Sequence, residues 1–79
     1  NNAIIILKYS QGGLMLGKNI KKFRIKKKLT QDRLARLADI PYTSITKIET
    51  GVIKKPSVQS VAKIAKSLGV SIDALIEGE

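Results

Sequence analysis

Apolar residues in this chain recur at helical intervals in short runs, and each run is closed by a residue that carries a helix no further. That pattern points to an all-α bundle of five short helices. Leu16, Ile20 and Phe23 fall at i, i+4 and i+7, one apolar stripe on an otherwise basic first helix. Leu29 and Thr30 break it, and Thr30 is a good N-cap for a second helix over about Gln31 to Ala38. This helix is expected to bury Leu34, Ala35, Leu37 and Ala38. Asp39-Ile40-Pro41 reads as a tight turn, and because proline is favourable only in a first turn, a third helix starts at about Pro41 or Tyr42. Ile45 and Ile48 form its inner face, and Gly51 is its stop. Ser57 caps a fourth helix with Val58, Val61, Ile64, Ala65 and Leu68 expected inward, ended by Gly69. Ser71 caps a short fifth helix with Ile72, Leu75 and Ile76.

Charge narrows the choice of partner. Fifteen Lys and Arg against six Asp and Glu give a net charge of +9 on 79 residues, which calls for a polyanion, either nucleic acid or an anionic membrane surface. Seven bases and no acid lie between Leu16 and Lys28, whereas the stretch from Gly69 to Glu79 holds three acids and no base. One end therefore suits phosphates and the other faces away from them. A membrane-surface peptide needs a continuous amphipathic helix, and Gly51, Pro56 and Gly69 interrupt this one. The run Ile4-Ile5-Ile6-Leu7 is too short to cross a bilayer and lacks the flanks of a signal peptide, so a cytoplasmic protein is expected. With no Cys, no His and six scattered acids, the chain offers no paired acid and base, no metal cluster and no Gly-rich phosphate loop. An enzyme is the least favoured class, and neither cofactor, metal nor small-molecule ligand is expected.

Two short helices joined by a three- or four-residue turn within a basic domain suggest a helix-turn-helix. The residues from Gln31 to Glu49, QDRLARLADIPYTSITKIE, resemble the helix-turn-helix of the phage repressor/Cro (XRE-type) family. The likeness extends from about Leu16 to Ile76 and includes Gly51, Pro56-Ser57 and the run from Ile64 to Ser71. It implies a five-helix, lambda repressor-like domain. Two positions depart from the family pattern: Asp39 stands where the turn usually has Gly, and Pro41 where the third helix usually has a Ser or Thr cap. Asp tolerates the left-handed conformation at modest cost.

The resemblance also implies roles. The N-terminal part of the third helix would enter the major groove of double-stranded DNA, with Tyr42, Thr43, Thr46 and Lys47 meeting base edges. Lys47 can donate to guanine O6 and N7, and a threonine can bond a base or touch a thymine methyl. Gln31, Ser44, Lys54, Lys55 and Lys18 would hold the phosphate backbone. Arg24 and Glu49 would form a partly buried, structural salt bridge, and Ala35 would sit where the two helices cross most closely.

A single such domain touches few base pairs, so a homodimer reading pseudo-palindromic half-sites is expected, with Val70, Ile72, Leu75 and Ile76 as its interface. Residues 1–14 read as an N-terminal extension to a domain over 15–79. Gln11-Gly12-Gly13-Leu14 resembles a translated ribosome-binding leader, which would make Met15 the natural start, and Ile4 to Tyr9 has the character of a strand. The favoured function is a transcriptional regulator, in the first place a repressor. The alternatives are a restriction–modification controller and an antitoxin-type protein-interaction module.

Overall fold

Thr30, Ser57 and Ser71 each stand in extended backbone just before a helix, and each accepts a hydrogen bond from the backbone N–H three residues on, at Arg33, Ser60 and Ala74. These caps satisfy donors that a helix start otherwise leaves unpaired. The computed structural model describes residues 13–78, and among them the chain forms α1 (Gly13–Lys26), α2 (Gln31–Ala38), α3 (Tyr42–Glu49), α4 (Val58–Leu68) and α5 (Ile72–Glu77), with no strand. The strand expected at Ile4 to Tyr9 lies outside the described residues. The expected domain start at Met15 falls within the first turn of α1.

Three helices end in one way. Lys28, Asp39 and Gly69 adopt the left-handed conformation (φ 60°, 56° and 70°), and the next residue's N–H reaches back to the carbonyl five positions earlier. The bonds are Leu29 to Arg24, Ile40 to Ala35 and Val70 to Ala65, each 3.0 Å. Each turn thereby folds an apolar residue, Leu29, Ile40 or Val70, back onto the core. Only the third uses glycine.

The core gathers Leu16, Ile20 and Phe23 of α1, Leu34 of α2, Ile45 and Ile48 of α3, Val61, Ile64 and Leu68 of α4, and Leu75 of α5. Helix α2 packs on α3 and α4, while α1 packs across α3, α4 and α5. Two expected core residues lie outside. Leu37 is 53% exposed, since Leu34, Ala35 and Ala38 already span the covered arc of α2 and Leu37 projects about 60° beyond it at roughly 100° per residue. Val58, at the first position of α4, is also exposed, and Pro56 is buried in its stead.

Asn19 is the buried polar residue of α1. Its Nδ2 donates to the Leu75 carbonyl at 2.7 Å and, more weakly, to that of Ile76 at 3.4 Å. One amide thus closes the end of a six-residue helix that would scarcely persist alone. Asn19→Ala removes that donor from buried carbonyls and is expected to lower stability by about 1–3 kcal/mol. Hydrogen exchange checks its location: α5 amides should lose protection well before those of α2, and uniform loss would count against a local tie.

Candidate nucleic-acid interface

Helix α3 owes its position to its inner face. Ile45 and Ile48 are buried and anchor it, and Gly17 of α1 lets it approach closely. A Cβ built on Gly17 would stand 2.2 Å from the Ile48 carbonyl oxygen and 3.0 Å from that of Glu49, so only glycine fits there.

At the far end of α3 a buried carboxylate joins three elements. Glu49 accepts from Arg24 Nε at 2.7 Å and Nη2 at 3.1 Å, a two-pronged pair that leaves the side chains 2% and 11% exposed. Arg24 Nη1 donates to the Leu29 carbonyl at 2.7 Å, tying the α1–α2 turn to the same group. Gln31 Nε2 donates to Glu49 Oε1 at 3.0 Å. The amide expected to hold a phosphate is therefore oriented by Glu49 through one of its two N–H groups, and the other is left for a partner.

The opposite face of α3 is the candidate contact edge. Tyr42, Thr43 and Lys47 are exposed, with Ser44 and Thr46 half-buried. At helical spacing Tyr42, Thr43, Thr46 and Lys47 share one side, opposite Ile45 and Ile48. No side chain caps α3 at Pro41, so its first N–H groups are open to solvent or a ligand. The Thr46 hydroxyl donates to the Thr43 carbonyl at 2.8 Å and sits 3.3 Å from that of Tyr42. With its proton engaged, Thr46 offers a partner an oxygen lone pair and a methyl group rather than a donor.

Lys18, Lys54 and Lys55 are exposed. Lys55 and Ser44 line one cleft of about 400 Å³, together with Ser57 at the start of α4. The expected dimer residues divide: Leu75 and Ile76 are buried in this chain's own core, while Val70 and Ile72 are half-buried. Leu75 and Ile76 thus pack inward within this chain, where α5 lies against α1 and α4.

Three residues that shape the fold escape a reading by apolar stripes alone. Gly17 had a signal as an isolated glycine within a helical pattern, and Asn19 as a polar residue on the stripe of Leu16, Ile20 and Phe23. Lys28 had none, since a left-handed lysine looks like any other lysine in sequence.

The fold, the short turn at Asp39–Pro41 and the outward edge of α3 together define a helix-turn-helix domain. A family profile described as "Helix-turn-helix" matches residues 20–75, and the chain belongs to that family, one of DNA-binding transcription regulators. It is 37% identical over 65 residues to the "Uncharacterized HTH-type transcriptional regulator YqaE" of Bacillus subtilis (strain 168), an alignment covering 82% of this chain and 55% of that protein. The chain thus spans about half the length of this curated relative. No solved structure matches it. Among the described residues no helix is long and apolar enough to cross a membrane.

Proposed function

We propose that this chain is a sequence-specific DNA-binding regulator of transcription, acting in the cytoplasm as a repressor that reads a pseudo-palindromic operator as a two-fold dimer. The observation that carries the reading is the division of α3, with Ile45, Ile48 and Glu49 buried and Tyr42, Thr43 and Lys47 exposed on the other side. In this reading Lys47 and Thr43 contact base edges, with Thr46 contributing an acceptor or a methyl contact and Tyr42 stacking or touching a methyl. Gln31, Ser44, Lys54, Lys55 and Lys18 hold phosphates. The net charge of +9 speeds association and makes binding salt-sensitive. For the dimer, Val70 and Ile72 are the remaining candidates, as both keep part of their surface open.

Selection of binding sites from random duplexes, followed by footprinting, tests the reading. It should return a palindromic consensus with half-sites roughly one helical turn, about 34 Å, apart. Recovery of no consensus would overturn it. Two substitutions separate the assigned roles. Lys47→Ala should relax preference at one base position by about 1–3 kcal/mol. Lys55→Ala should weaken all duplexes alike and lower the salt slope by about one unit. Indistinguishable behaviour of the two variants would refute the division between base-reading and phosphate-holding residues.

A further inference from the structure

We infer that the groove between the C-terminal end of α2 and α4 is a docking site for an acidic segment of a partner protein that inserts an apolar side chain. The proposal goes beyond DNA binding: none of the groove's lining residues is assigned to the duplex, although Lys63 also borders the cleft of Ser44 and Lys55. Leu37, Ala38, Lys63, Lys66 and Ser67 line an open groove of about 420 Å³. Leu37 stands 53% exposed on α2, beside the buried Ala38. Lys63 and Lys66 lie at i, i+3 on α4, both exposed. Neither has an ion-pair partner among the described residues, whereas Arg36 on the neighbouring turn of α2 is paired with Asp32 at 3.1 Å. The Ser67 hydroxyl donates to the Lys63 carbonyl at 2.9 Å, so its proton is already engaged. Among the described residues the groove therefore presents one aliphatic anchor and two ammonium groups without an ion-pair partner.

That chemistry selects the occupant. A phosphate backbone would satisfy the two lysines but would gain nothing from Leu37. A peptide with Asp or Glu on either side of a bulky apolar residue satisfies both, with an apolar contact at the centre and charge pairs at the rim.

Panning a random 12-residue peptide display library against the immobilised full chain tests the proposal. The enriched peptides should carry acids flanking an apolar residue. Leu37→Ser should weaken them about tenfold or more, and the pair Lys63→Glu with Lys66→Glu at least as much. Both variants change exposed positions, and unchanged thermal melting would confirm that they fold. Duplex affinity of Leu37→Ser should stay within about twofold of the parent chain, which separates failure of the docking site from failure of the DNA-binding reading. Enrichment of nothing, enrichment of neutral or basic peptides, or peptide binding indifferent to Leu37→Ser would overturn the proposal. So would loss of duplex affinity in Lys63→Gln with Lys66→Gln while peptide binding is unaffected, which would assign the lysines to DNA.

Discussion

Glu49→Ala should cost about 3–5 kcal/mol and lower the melting temperature by on the order of 20 °C. The substitution strands the Arg24 guanidinium, 11% exposed, with the Leu29 carbonyl as its remaining protein acceptor. It also strips the Gln31 amide of its acceptor. For a domain whose whole stability is on the order of 5–15 kcal/mol, that is a large fraction. A surface pair of similar length would be worth at most about 1 kcal/mol, and the exposed Asp32–Arg36 pair provides that contrast within the same molecule. Replacing both partners, Arg24→Met with Glu49→Leu, should restore much of the loss, since well-packed apolar side chains can equal a buried ion pair. Urea denaturation of the two variants beside the parent checks this. A loss below about 1 kcal/mol for Glu49→Ala would mean that the pair is screened and holds nothing together.

Gly17→Ala sets two effects against each other. Within a helix, alanine is favoured over glycine by about 1 kcal/mol. Here the new methyl would meet the Ile48 carbonyl oxygen at 2.2 Å, against a practical lower limit of 3.0 Å, and the obstacle is backbone rather than a side chain that could swing aside. Helices α1 and α3 would have to part by most of an ångström, which would loosen the buried seats of Ile45 and Ile48 and stretch the Arg24–Glu49 bridge. Overpacking of this kind typically costs about 1–3 kcal/mol, and the unyielding neighbour places this case at the upper end, so the substitution should destabilise despite its helix propensity. Thermal melting would decide it. A variant as stable as the parent would show that α1 and α3 have room to spare.

Where the sequence could be read and where it could not follows from the kind of signal each residue carries. Caps and stops are local: Thr30, Ser57, Ser71 and Gly69 act where their chemistry places them. The Arg24–Glu49 pair is 25 residues apart, and its expectation came from resemblance to a family, since nothing local links the two positions. Leu37 and Val58 were misplaced because periodicity says which residues share a helix face but not how wide an arc the neighbouring helices cover. Leu75 and Ile76 are expected at a second subunit because an apolar stripe does not say which neighbour it packs on. The tie from Asn19 shows α5 closing against α1, where they are buried. The left-handed Lys28 lay beyond any such reading, since the turn geometry that favours it arises only once Leu29 packs inward.

The contacts that seat α3 all come from its backbone and inner side: the carbonyls against Gly17, the two isoleucines and the terminal carboxylate. Of the outward side chains, only Thr46 bonds to the protein among the described residues, and that bond stays within its own helix. In the proposed reading, exchanging residues 42, 43 and 47 would therefore change operator preference while the frame that holds α3 is inherited unchanged.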